Sequence, residues 1–223
     1  MSNAFEKMDK MYRHQQYFYD LTRKYYLLGR DKLIAEMNVQ TDENILEVGC
    51  GTGRNLAILA NKYKQANFFG LDASSVMIET AQKKVDAKSL KNVQLQIALA
   101  DDFTFDKTFK LEKPFDSIFF SYSISMIPPW KESIANALKN LKSGGSFYIV
   151  DFYDQKDLPK AFQKLLQGWL KQFHVQFWGE LMPHLETLET QGLGKLTVTS
   201  LYRRYSFIAK FEKMNDELLI VNC

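Results

Sequence analysis

Apolar positions in this chain switch between two periods. Phe18, Leu21, Tyr25 and Leu28 recur at spacings of three, four and three, which places them on one side of a 3.6-residue period and predicts a helix. The register then changes. Asn44 to Val48 is a short apolar run ending in a glycine cluster, and Arg54 to Lys64 reads as helix, so strand, tight turn and helix follow in order. The alternation continues with a strand from Asn67 to Leu71, a helix capped by Ser74 and running to about Val85, and strands from Val93 to Ala98 and from Phe115 to Tyr122. Pro128-Pro129 suits a first helical turn, and Ile134, Ala137, Leu138 and Leu141 mark one buried face. Gly144-Gly145 supplies a left-handed stop before a strand from Phe147 to Asp151. Strands alternating with helices imply an α/β, doubly wound, mostly parallel sheet with its ligand at the carboxyl ends of the strands. The tail departs from this rule: Leu196 to Tyr202 and Tyr205 to Phe211 are β-rich runs separated by Arg203-Arg204, a connection short enough to force a C-terminal antiparallel hairpin.

Composition narrows the class. With 223 residues, 46% hydrophobic and 25% charged, the chain can furnish one real core, and no linker or repeat divides it. The expected layout is one domain over residues 1–223, with a helical cap over 1–40, a ligand-binding core over 41–155, and a helix plus edge hairpin over 156–223. No tract of about 18 uninterrupted apolar residues is present, and the first ten residues lack the apolar stretch of a secretory signal, so a cytoplasmic protein is expected. Cys50 and Cys223 are far apart and form no Cys-x-x-Cys, which argues against a disulfide framework or a structural zinc site; no metal is expected. The net charge of +3 is too mild to call for nucleic acid, which is not expected as a partner. The excess sits at the ends: residues 1–35 carry seven Lys/Arg against four Asp/Glu, and residues 195–213 carry five against one.

The most informative motif is Glu47-Val48-Gly49-Cys50-Gly51-Thr52-Gly53, between the first strand and the first crossover helix. Glycines there let the backbone turn tightly and approach a ligand closely. Arg54 stands where a dinucleotide fingerprint would place its third glycine, and Glu47 would repel a diphosphate while attracting a ligand ammonium group. Asp72, at the end of the second strand, suits the two hydroxyls of a ribose. Asp101, in Ala100-Asp101-Asp102-Phe103, could accept from an adenine amino group while the ring lies against an apolar side chain such as Met77. Cys50 has no base or cation beside it and reads as packing filler.

This ordered set resembles the class I S-adenosylmethionine-dependent methyltransferases, over roughly residues 40–155. The resemblance implies a Rossmann-like fold, S-adenosylmethionine as cofactor, and a cofactor site drawn from Tyr19, Arg23, Glu47, Gly49, Gly51, Gly53, Asn55, Asp72, Ala73, Met77, Asp101, Asp102, Phe103 and Ser121. Shorter stretches, Tyr-Asp-Leu-Thr-Arg-Lys at 19–24, Leu-Gly-Arg-Asp at 28–31, Pro-Pro-Trp at 128–130 and Val-Asp-Phe at 150–152, look like the methyltransferases that trimethylate diacylglyceryl homoserine to a betaine lipid. On that resemblance the acceptor is a lipid headgroup amine; phosphatidylethanolamine, a soluble small molecule, and a non-catalytic cofactor-binding module are the alternatives.

Amine methylation requires a neutral nitrogen aligned with the S–CH₃ bond, and a base or a desolvating aromatic pocket to favour it. Tyr19, Tyr122 and His174 are the candidate catalytic residues. Arg23 and Arg30 could meet a carboxylate of homoserine or of the cofactor, or could instead pair with Asp20 or Asp31. His14 and His184 read as surface or packing histidines. The segment from Lys160 to Phe173 is amphipathic, with Phe162, Leu165, Leu166, Trp169, Leu170 and Phe173 opposite Lys160, Lys164 and Lys171. Such a stripe either packs on the sheet or dips into a membrane surface, so peripheral membrane association is a possible partner interaction.

Overall fold

The computed structural model describes residues 26–171 and 175–214. Its centre is a seven-stranded sheet of order β3-β2-β1-β4-β5-β7-β6. The strands are β1 (Asn44–Val48), β2 (Asn67–Asp72), β3 (Val93–Ile97), β4 (Phe115–Ser121), β5 (Leu141–Phe152), β6 (Gly194–Leu201) and β7 (Ser206–Lys213). The first five are parallel, β7 runs antiparallel to β5, and β6 pairs with β7 as a hairpin at the edge. This is the doubly wound, mostly parallel sheet with a C-terminal hairpin that the alternation of elements predicts. The order turns back between β1 and β4, which opens a crevice at their carboxyl ends.

Helices cover both faces because the central strands are apolar on both sides. In β1, Ile45 belongs to one buried cluster and Leu46 and Val48 to the other; in β2, Phe68 and Phe69 divide likewise. The first face is covered by α1 (Arg30–Glu36), α2 (Arg54–Lys62), α3 (Ser75–Ala87) and α6 (Lys160–Lys171). The second is covered by α4 (Phe105–Phe109), α5 (Trp130–Asn140) and α7 (Leu181–Thr190), which pack on a phenylalanine cluster that includes Phe69, Phe103, Phe109 and Phe115. Cap chemistry sets the helix starts as expected: the Ser74 hydroxyl accepts from the Met77 N–H at α3.

Two local expectations are corrected. The predicted left-handed stop at Gly144-Gly145 does not end a helix: α5 stops at Asn140, and β5 has already begun at Leu141. Gly144 does adopt a positive φ of 72°, but as part of an irregularity where the β4–β5 register shifts between Phe115 and Ser117. Tyr122 lies outside β4, since its φ of 54° turns the chain away from the sheet. The short helix α4, helix α7 and a 3₁₀ turn at Ile124–Met126 were not among the elements predicted from the sequence.

Candidate functional site

The glycine loop occupies the crevice at the end of β1. Gly49, Gly51 and Gly53 all have positive φ, at 72°, 52° and 69°, so the loop takes three left-handed steps before α2 begins. A Cβ on Gly49 would lie 2.5 Å from that of Ser123, whose hydroxyl donates to the Val48 carbonyl at 2.7 Å. The loop is thereby pinned against the residues that follow β4.

The two-residue period of β1 puts Glu47 on the Ile45 face, beneath α2. There the Asn55 side-chain amide donates to Glu47 Oε1 at 2.7 Å. Glu47 is 2% exposed, and its second oxygen, Oε2, is buried without a hydrogen-bond partner. Burial pushes its carboxyl up to about 8, opposed by Asn55 and by the positive charge of Arg30. A buried carboxylate with an unsatisfied oxygen beside a left-handed glycine turn fits a ligand ammonium group, so these residues suit the amino-acid arm of S-adenosylmethionine. Arg30 is itself buried on α1, and Asp31 pairs with Arg54 at 2.9 Å rather than with Arg30.

Asp72 ends β2 as predicted and is 8% exposed; its two oxygens accept from the backbone N–H groups of Gly51 and Ser74, each at 2.9 Å. The carboxylate is thus oriented at the rim of the glycine loop. Ala73 follows it, half-buried, and Met77 is buried in the first turn of α3. The Ser121 hydroxyl, at the end of β4, is buried without a hydrogen-bond partner. Asp101 and Asp102 are exposed in the turn after β3. Glu47, Gly49, Gly51, Gly53, Asn55, Asp72, Ala73, Met77, Asp101, Asp102 and Ser121 therefore all lie in β1, β2, β3, β4 or their following segments, at the carboxyl edge of the sheet. Within this group Asn55 acts on Glu47, its amide directed at the carboxylate. Cys50 is buried against Gly70, and burial pushes its thiol well up, consistent with a packing role.

Two assigned residues face elsewhere. Phe103 is fully buried in the phenylalanine cluster, and its carbonyl accepts from Asn136 and Asn140, so it is core rather than ligand contact. Tyr122 is not placed as a base. Its hydroxyl donates to the Leu28 carbonyl, its ring packs edge-on against Phe152, and burial pushes its ionisation well above the usual tyrosine value. It ties the segment before α1 to the sheet. Tyr19, Arg23, His174 and His14 lie outside the described residues. His184 packs edge-on against Trp130, as a packing histidine would.

Sequence reasoning missed a second feature at the same edge. Beyond β4 and β5, a cavity of about 510 Å³ is lined by Asp151, Phe152, Phe177, Trp178, Lys156 and Arg204, among others. Asp151 is the penultimate residue of β5 and is 1% exposed; its oxygens accept from the Ser125 N–H at 3.0 Å and the Phe152 N–H at 2.8 Å. Burial pushes its carboxyl up to about 6. The signal that singled out Asp72, a carboxylate closing an apolar strand, is present at Asp151 too. The aromatic wall comes from residues 177 and 178, which no period marks.

Comparison with known proteins agrees with this geometry. A family profile described as a methyltransferase domain matches residues 40–191. A demethylmenaquinone methyltransferase of Listeria welshimeri is 25% identical over 178 residues, which cover 77% of this chain and 70% of that protein. A malonyl-[acyl-carrier protein] O-methyltransferase of a Paenibacillus species is 25% identical over 147 residues, or 65% of this chain; the match spans half of that relative's length. The solved structure of Haemonchus contortus phosphoethanolamine N-methyltransferase 2, in complex with phosphomonomethylethanolamine and S-adenosylhomocysteine, has the same fold. It aligns with a TM-score of 0.65 at 14% identity, covering 84% of this chain and 53% of that one. Other structures of the fold are described as rRNA methylases, so the expectation against nucleic acid rests on the mild net charge alone. With the profile spanning most of the chain and the glycine loop, Glu47 and Asp72 at the crevice of the sheet, the protein belongs to the methyltransferase-domain family of S-adenosylmethionine-dependent methyltransferases.

Proposed function

We propose that the chain transfers the methyl group of S-adenosylmethionine to an amine nitrogen carried on a lipid headgroup, with diacylglyceryl homoserine as the acceptor to which its short motifs point. The observation that carries the donor half is the buried Glu47 oxygen without a partner at the left-handed glycine loop. Glu47 would hold the ammonium of the cofactor, Asp72 the ribose hydroxyls, and Met77 one face of the adenine. When bound, the cofactor supplies an electrophilic methyl group on a sulfonium. The protein's part is to orient it, exclude water, and present the acceptor nitrogen in line.

The lipid half is supported by α6. Leu166 and Leu170 are buried and Trp169 meets Tyr26 edge-on, whereas Phe162 is 49% and Leu165 71% exposed beside Lys160 and Lys164. An apolar ridge flanked by lysines is the pattern of a helix that rests on an anionic membrane surface. No described helix is long and apolar enough to cross a membrane. The amine is supported by the carboxylate and aromatic rings of the second cavity, and the Haemonchus contortus enzyme of the same fold is described with phosphomonomethylethanolamine. Incubation with methyl-labelled cofactor and total lipid, followed by separation of the products, should yield a labelled betaine lipid. Label in the aqueous fraction with none in lipid would favour a soluble amine instead, and cofactor binding without any transfer would favour a sensor.

A further inference from the structure

The cavity beyond β4 and β5 differs from the glycine crevice in its chemistry. Its most buried polar side chain is Asp151, held by two backbone N–H groups so that the carboxylate cannot swing away. Phe152, Phe177 and Trp178 line it together with Asp151, and the Phe152 and Phe177 ring centres are 6.1 Å apart. The 175–179 segment is fastened in place: the Gln176 N–H donates to the Ser125 carbonyl at 3.0 Å, and the Trp178 indole to the Ile124 carbonyl at 2.9 Å. A fixed anion among aromatic faces stabilises an organic ammonium through both Coulomb and cation–π attraction.

The outer part carries the cations of the lining, Lys156 and Arg204. Arg204 bonds Asp154 in bidentate fashion, with Nε at 2.6 Å, and Lys156 reaches the same carboxylate at 3.2 Å. Two cations thus share one carboxylate, which is held down to about 2. The side chains of Arg204 and Lys156 are 30% and 74% exposed, so both cations reach the solvent side, where Asp157 also acts on Arg204. Glu186 on α7 is the remaining acid in the lining.

We propose that this cavity is the acceptor site, and that it takes a zwitterion: a primary ammonium lodged against Asp151 between Phe152, Phe177 and Trp178, with a carboxylate or phosphate at Lys156 and Arg204. The inference rests on the amine methylation proposed above and assigns it a place and a base. Asp151 first takes a proton from the ammonium, leaving a neutral amine. The nitrogen lone pair then forms the new N–CH₃ bond while the electron pair of the broken C–S bond stays on sulfur, so the sulfonium becomes a neutral thioether and the positive charge moves to nitrogen. A carboxyl pushed up by burial is the better proton acceptor for this step.

The test uses homoserine and phosphoethanolamine as soluble zwitterions, ethanolamine as an amine without the anion, and vesicles containing phosphatidylethanolamine as the lipid-borne form. Calorimetry of each soluble probe in the absence of cofactor reads binding alone; methyl transfer from labelled cofactor reads turnover. Asp151→Asn, which keeps size and one acceptor oxygen, should lower amine turnover by about 100-fold or more and weaken amine binding, with affinity for S-adenosylmethionine unchanged. Lys156→Gln, at an exposed position, should raise KM for the zwitterions about tenfold and leave ethanolamine unaffected. Turnover of vesicles but not of soluble zwitterions would place the zwitterion on a lipid, and the reverse result on a free metabolite; both agree with the site. Amines bound and methylated equally well by Asp151→Asn would overturn the site while leaving the methyltransferase reading intact. Wild-type protein that binds the cofactor yet methylates none of these amines would overturn both.

Discussion

Glu47 shows how a single side chain can be costly to the fold and useful to a ligand. Its carboxyl stands at about 8 in the folded protein against an ordinary 4.5, so across that interval the folded chain holds a proton that the unfolded chain has released. Stability without ligand should therefore fall as pH rises from about 4.5 to about 8. Glu47→Gln should flatten that slope in denaturation curves taken across the window, and leave the protein more stable than wild type at pH 8. A ligand ammonium reverses the preference by favouring the charged carboxylate, so affinity for S-adenosylmethionine should strengthen with pH over the same window. Calorimetry in two buffers of different ionisation enthalpy should detect the released proton in wild type; equal proton release in Glu47→Gln would refute the assignment. Gly49 makes a separate demand. Alanine there meets both a φ of 72° and a contact of 2.5 Å with Ser123, so Gly49→Ala should cost roughly 2–3 kcal/mol in chemical denaturation. The residue type at these positions was readable from sequence because few side chains serve in such places. Asn55 was legible as part of the motif, but its partner was not, since eight residues separate it from Glu47 across the turn.

Helix α6 separates a packing face from a presenting face. Leu170 is fully buried, and Leu170→Ala should destabilise the protein by about 2–5 kcal/mol through the cavity it leaves. Leu165→Asp, at a position 71% exposed, should change stability by no more than about 0.5 kcal/mol. The same substitution should abolish salt-sensitive cosedimentation with anionic vesicles if α6 rests on a membrane; retained binding would assign that surface elsewhere. The amphipathic pattern predicted the helix but not the division of its apolar stripe, because one period cannot tell which apolar residues find a partner. Strand β5 gives a similar lesson. Its first residues, Leu141 to Gly145, looked like the end of a helix because glycines stop helices often, and pairing with β4 overrode that local preference. Helix α4 is five residues long and offers too few periods to read, whereas α7 carries Leu181, Leu185 and Leu188 at a helical spacing that went unread.

At the scale of the molecule, the fold brings two concave features to one edge of the sheet, the glycine-loop crevice at β1 and β2 and the aromatic cavity beyond β4 and β5. Binding only to the folded state, S-adenosylmethionine at about 100 times its Kd should stabilise the protein by roughly 2.7 kcal/mol and raise Tm by about 5–10 °C. NAD at the same concentration should leave Tm unmoved, since Arg54 stands where a dinucleotide-binding loop places its third glycine; an equal shift would count against the cofactor assignment. The succession of the strands, the glycine loop and the carboxylates Glu47 and Asp72 at or beside strand ends were determined by sequence alone. They follow from local rules: two periods of hydrophobicity, turn chemistry and chain connectivity. The aromatic cavity, the fixing of Asp151, the pairing of Arg204 with Asp154 and the burial of the Tyr122 hydroxyl were decided only by tertiary structure. Each joins residues from elements distant along the chain, as Arg204 and Asp154 are joined across 50 positions, and such meetings depend on how helices and the edge hairpin settle on the sheet. No local pattern encodes that distance.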